Sequence, residues 1–157
     1  MALPKKKIYD LNEAREKIRR YCAYQERSQK QVVDKLKSYG LLPLAADELL
    51  VELLQENFLN EQRFASAFAR GRFNIKGWGK TKIANALYRH GVSKPCITTA
   101  LNEIDDENYH EKLHLLARKK WDSLKQEHPS IRKQKTIRFL LGRGFLYDDI
   151  EKSFKRF

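Results

Sequence analysis

Residues 59–101 read LNEQRFASAFARGRFNIKGWGKTKIANALYRHGVSKPCITTAL, and this stretch decides the fold. Three helices can be read from it. Asn60 is a good N-cap, because its short side chain can accept a bond from a free amide of the first turn. Phe64, Ala65, Phe68 and Ala69 follow at helical spacing and form one apolar face. Gly77 and Gly79 bracket Trp78 and end that helix. A second helix runs from about Lys80 to His90, with Ile83, Ala84 and Leu87 inward and Gly91 as a left-handed stop. Ser93 caps a third, with Pro95 in its first turn and Ile97, Ala100 and Leu101 on one face. Helices this short are marginal alone, so the three must pack together.

Working outward, the same grammar recurs. Asp10-x-x-Glu13 and Ser28-x-x-Gln31 resemble capping boxes. They introduce faces formed by Ala14, Ile18, Tyr21 and Cys22, then by Val32, Val33 and Leu36. Gly40 stops the second helix, Pro43 lies in a turn, and Asp47 caps a helix carrying Leu49, Leu50, Leu53 and Leu54. Beyond the central stretch, Asp105 or Asp106 starts a long helix through Tyr109, Leu113, Leu116, Ala117, Trp121 and Leu124. Pro129 and Ser130 start another with Ile137, Leu140 and Leu141 inward, and the last helix carries Ile150 and Phe154. No segment alternates with period two, so no strand is expected.

The stop glycines Gly40, Gly91 and Gly144 lie 51 and 53 residues apart. Leu36, Leu87 and Leu140 stand four residues before them, and Leu41, Val92 and Phe145 one residue after. Ile97 and Ile150 match, as do Leu101 and Phe154; Leu49 and Leu53 fit after a longer turn at Pro43. The expected fold is all-α: three tandem three-helix repeats forming an elongated, curved solenoid-like array. Its parts are a basic arm at 1–9 and repeats at 10–58, 59–104 and 105–157.

A formal charge of +12 and a pI near 9.7 favour a polyanionic partner, nucleic acid first. In the central stretch Arg63, Arg70, Arg72, Lys76, Lys80, Lys82, Arg89 and Lys94 are opposed only by Glu61. Cys22 and Cys96 sit on apolar faces and read as reduced thiols of a cytoplasmic protein. No apolar run approaches the ~20 residues of a membrane span. Lys5 to Lys7 precede no apolar segment, which argues against a signal peptide.

Arg27-Ser28-x-x-Gln31, Lys35-Leu36 and Gly40, then Phe58-Leu59-Asn60-Glu61-x-Arg63-Phe64-Ala65, Gly77-Trp78-Gly79-Lys80-x-Lys82-Ile83 and Leu87 to Val92 resemble the RecX family of bacterial regulatory proteins. The resemblance runs from about Asn12 to Phe157. Gln31 stands where that family usually has Glu, and Glu61 where it usually has Asp; both keep the capping chemistry. Separately, the chain is expected to be a non-enzymatic monomer without cofactor; the resemblance implies an all-helical protein of three three-helix repeats that binds and modulates RecA. Its partner would be the RecA recombinase filament, and its function a modulator of RecA, usually an inhibitor, lying in the groove of the RecA–DNA filament.

Candidate contact residues for RecA or DNA are Arg63, Arg70, Arg72, Lys76, Trp78, Lys80, Lys82 and Arg89 in the central repeat. Arg132, Lys135 and Arg138 add a basic helix face in the third, being three residues apart. Glycines around Trp78 allow close backbone approach, and amides at a helix start favour phosphate. Alternatively, Trp78 simply packs inside a tight connection. Reversal of Lys76, Lys80 and Lys82 is expected to abolish inhibition and leave the fold intact. The second reading is a protein binding single- and double-stranded DNA weakly, without sequence preference and with steep salt dependence, acting by competition for DNA. A remote third is a zinc hydrolase, because His110-Glu111-x-x-His114 matches H-E-x-x-H with both imidazoles on one face. Gly79-Lys80-Thr81 resembles the end of a P-loop, but Asn74 occupies the leading glycine position and no strand precedes it.

Overall fold

The computed structural model describes residues 8–157. Among these, the chain forms nine helices and no strand. The first unit holds α1 (Leu11–Tyr24), α2 (Gln29–Ser38) and α3 (Pro43–Gln55). The second holds α4 (Glu61–Asn74), α5 (Lys80–Arg89) and α6 (Lys94–Asn102). The third holds α7 (Asp106–Ser123), α8 (Pro129–Gly142) and α9 (Tyr147–Phe154). Extensive helix–helix packing occurs only inside each set of three.

Local chemistry explains the boundaries. Asp10, Asn60 and Asp105 each accept an amide hydrogen bond three residues on, at 2.8, 2.8 and 3.0 Å. Ser28 Oγ accepts from the Gln31 N–H while Gln31 Oε1 accepts from the Ser28 N–H, a reciprocal capping box. Gly40, Gly91 and Gly144 have φ of +76°, +79° and +95°, so each repeat ends its second helix with a residue in the left-handed region. Leu36, Leu87 and Leu140 are fully buried beneath those stops. Burying one such side chain contributes about 2 kcal/mol, so this position anchors each unit.

The cores do not repeat so evenly. Ala14, Ile18, Val32, Leu36, Leu49 and Leu53 form a core belonging to the first unit alone. The second and third units share one core, with Phe64, Phe73, Ile83 and Leu87 continuous with Tyr109, Leu113, Leu140 and Phe145.

Several expectations need correction. Asp47 does not cap α3; Pro43 takes the first position of that helix and Leu42 stands at its N-cap, since proline's fixed φ suits a first turn. Leu54 and Leu141 are exposed, not inward. Ser93 occupies the N-cap of α6, but its side chain does not cap; Glu61 instead accepts the Ser93 N–H at 2.7 Å. Lys5 to Lys7 of the expected arm lie outside the described residues. Tyr9 belongs to the first unit, packing on its core and donating its N–H to the Tyr39 carbonyl.

Candidate nucleic-acid interface

The amides at the start of α5, where the sequence predicts room for a phosphate, are occupied. The Gly79 N–H donates to the Arg143 carbonyl at 2.7 Å, the Thr81 N–H to the Gly144 carbonyl at 3.1 Å, and the Lys80 N–H to Tyr109 Oη at 3.0 Å. The turn that follows α8 thus accepts from Gly79 and Thr81 at the start of α5, and Tyr109 of α7 accepts from Lys80. A β-carbon on Gly79 would collide with the Gly144 carbonyl, and one on Gly144 with the backbone of Lys82. These glycines allow close approach, but of the third unit rather than of a ligand.

The basic residues of the central unit therefore divide. Arg63 pairs with Glu26 at 2.6 Å and donates to the carbonyls of Asn57 and Phe58, tying the second unit to the first. Lys80 pairs with Asp106 at 3.5 Å and lies over the Tyr109 ring. Lys82 reaches toward the Gly142 carbonyl. Arg70, Lys76 and Arg89 are exposed. Trp78 is half-buried: it packs on the shared core, with Arg72 at 5.3 Å and Lys82 Nζ at 4.6 Å from its ring centre. The packing reading of Trp78 therefore describes its position, with two cations beside its ring, while the amides expected to face a phosphate are occupied.

Those residues edge a groove between the first and second units. Lys30, Gln31 and Asp34 of α2 form one wall; Phe68, Arg72, Trp78, Arg89 and His90 form the other. A second lobe continues past Gln25, Glu26 and Phe64. The lobes have volumes of about 390 and 280 Å³. Arg72 lies 4.4 Å from the Phe68 ring centre, and the His90 ring meets Phe64 and Phe68 edge-on at 5.4 Å. Burial, then the charges of Arg72, Lys30 and Arg89, hold His90 below its ordinary pKa of 6.5. An anion entering the groove would offset the charge part of that shift and leave the burial part.

The basic run of α8 is less available than its spacing suggests. Arg132 donates to the Trp121 carbonyl at 2.8 Å and stacks on that ring at 4.1 Å. Lys135 pairs with Glu127, and Lys133 with Glu151. Arg138 is exposed. Arg143 donates to the Lys76 carbonyl at 2.6 Å and so belongs to the joint between the second and third units.

His114 Nδ1 lies 3.3 Å from Ser153 Oγ, and its ring stands edge-on to Phe157. His110 is exposed beside Tyr109, and His128 caps α8 by accepting from the Ser130 N–H. Among the described residues no cluster of three His, Cys, Asp or Glu side chains could hold a metal. Among them, too, no helix is long and apolar enough to cross a membrane. Cys22 is buried, which pushes its thiol up to about 11; Cys96 is half-buried and its thiol donates to Glu61 at 3.7 Å.

Lys30, Phe68 as a groove wall, and His90 escaped the sequence reading. His90 could have been found, since it directly precedes a stop glycine. Lys30 could not, because no local signal tells which face of the first unit meets the second.

The family model for the second three-helix domain of RecX matches residues 60–101, and that for the third matches 106–153. A "Regulatory protein RecX" from Clostridium botulinum (strain Eklund 17B / Type B) is 35% identical over 127 residues, covering 80% of this chain and 59% of that protein. One from Clostridium perfringens (strain 13 / Type A) is 32% identical over 124 residues, covering 78% and 58%. The chain thus spans less than two thirds of the length of these curated relatives. The crystal structure of RecX from Lactobacillus salivarius superposes with a TM-score of 0.85 at 25% identity, covering 94% of this chain and 96% of that one. With its stop glycines, its three-helix units and these matches in agreement, the chain belongs to the RecX family of regulatory proteins.

Proposed function

We propose that this chain is a non-enzymatic, cytoplasmic regulator that binds along the RecA–DNA filament as a monomer and inhibits RecA's recombinase and coprotease activities. The RecX family is the ground for RecA as partner. The supporting observation in the chain itself is the groove between the first two units. Its cations Lys30, Arg72 and Arg89 have no carboxylate partner among the described ion pairs. Unpaired charge beside aromatic walls favours a polyanionic surface in encounter and in residence.

The test is disassembly of RecA filaments on single-stranded DNA. Reversal of Lys76, Lys80 and Lys82 would disturb the joint as well as the surface, because Lys80 holds Asp106. The variant Arg72→Glu, Lys76→Glu, Arg89→Glu is the cleaner probe. It is expected to lose inhibition; the exposed changes at Lys76 and Arg89 alter stability by no more than about 0.5 kcal/mol each, and a thermal melt checks the change at Arg72, which lies against Phe68 and Trp78. Inhibition equal to the parent's would move the working surface elsewhere. The same basic groove also supports competition for DNA; in that case excess single-stranded DNA relieves inhibition completely, whatever the RecA concentration.

A further inference from the structure

The first unit carries a second hollow that the RecA reading does not use. It has a volume of about 460 Å³ and lies between α1 and α2. Four cations line it: Lys17, Arg20, Arg27 and Lys35. Four tyrosines interleave with them: Tyr9, Tyr21, Tyr24 and Tyr39. Among the described residues no carboxylate lines the hollow.

The two sides of α1 differ sharply. On the side facing α3, Arg15 and Arg19 are neutralised by Glu52 and Glu56 at 2.8 and 2.7 Å. On the side facing the hollow, positions 17, 20, 21 and 24 follow helical spacing, and neither cation there has a carboxylate partner among the described ion pairs. Three of the four lining cations lie against rings. Arg27 sits 3.8 Å and Lys35 5.3 Å from the Tyr21 ring centre, and Lys17 4.8 Å from that of Tyr9. Tyr24 is 83% exposed, a large apolar ring left in water at the rim.

The hollow also has counterparts. The residues five before and one before each stop glycine line a hollow in every unit: Lys35 and Tyr39, Ala86 and His90, Phe139 and Arg143. Equivalent positions of stacked repeats recur along one face. An extended ligand can follow such a face, and the first unit offers the most rings to it.

We propose that the tyrosine–cation hollow of the first unit is a stacking site for unpaired bases of single-stranded nucleic acid. Cations around one exposed ring, Tyr24, with the half-buried Tyr9 and Tyr21 behind it, suit a strand whose phosphates and base faces are both accessible, whereas a duplex hides its base faces. An acidic peptide would use the charges but leave the Tyr24 ring without a planar partner. The site does not depend on RecA, so it stands or falls separately from the proposed function.

The test uses the whole chain without RecA and measures fluorescence anisotropy of a labelled oligothymidylate and of a duplex of equal length. Tyr24→Ala is expected to weaken single-strand binding about tenfold or more while duplex affinity stays put. Tyr24→Phe, which keeps the ring, should bind as the parent does. Lys17→Ala with Lys35→Ala should flatten the salt dependence by roughly 0.7 log units per lost phosphate contact. Equal losses for strand and duplex in Tyr24→Ala, or no loss at all, would overturn the proposal. So would polyglutamate competing as well as the oligonucleotide, which would make the hollow a docking site for acidic protein.

Discussion

The two joints of this array are built differently. Between the second and third units the core is continuous, and backbone meets backbone through Gly79, Thr81, Arg143 and Gly144. Between the first and second units the cores are separate, and the contact includes a part-exposed ion pair, Arg63 with Glu26, beside an open groove. The comparison teaches that a repeated sequence does not imply a repeated interface. The tight joint makes one body of two units. The loose joint leaves polar and aromatic groups available to a partner, and the candidate groove lies there.

The sharpest way to break this contrast is to add one methyl group at the same repeat position on either side. Gly144→Ala meets both an unfavourable left-handed backbone and the backbone of Lys82, so a loss of about 3 kcal/mol is expected in urea unfolding. Gly91→Ala has the same backbone handicap but open space around it, and should lose only about 1 kcal/mol. Equal losses would mean the joints are alike.

Smaller changes compare the polar links. Tyr109→Phe removes the acceptor of the Lys80 N–H inside the shared core, and about 1 kcal/mol should disappear. Glu26→Gln cuts only the solvent-screened pair with Arg63, leaving that residue's bonds to the Asn57 and Phe58 carbonyls, and should cost less than about 1 kcal/mol. Thermal melts at matched salt would show which link matters more.

The smallest effect concerns pH. Burial, and then Arg72, Lys30 and Arg89, hold the His90 pKa below its ordinary value, while Glu26 and Asp34 also face the groove. Bound phosphate would offset the three cations and raise the imidazole's pKa, so the complex holds more proton than the free chain. Affinity for DNA should then rise as pH falls from neutrality through the window below 6.5, on the order of two- to threefold. His90→Gln should flatten that slope; an unchanged profile would place the anion elsewhere.

What could be read from the residues was local. A left-handed stop at Gly40, Gly91 and Gly144 and the caps at Asp10, Ser28, Asn60 and Asp105 follow from their immediate neighbours, and all are present. Asp47 failed as a cap because Pro43 offered an earlier start. Tyr21 packs on the first core and also lines the hollow, a double role that helical spacing does not signal. The partners of Arg63 and Lys80 lie 37 and 26 residues away in other units, a distance at which no periodicity reports. Charge along the chain thus overstated charge at the surface.

The Gly79–Gly144 contact also bears on how such an array could grow. Gly79 stands at the N-cap of α5, where α2 has Ser28 and α8 has His128. Ser28 is buried, with its hydroxyl spent on its own helix, and His128 carries a full imidazole; neither offers the bare backbone that receives an incoming stop glycine. The tight seam therefore works in one register only. A fourth copy spliced after the third unit would find His128 in the receiving position, and a duplicated first unit would present Ser28. Gene duplication could lengthen this chain, but each new copy would need its own glycine before it could lock.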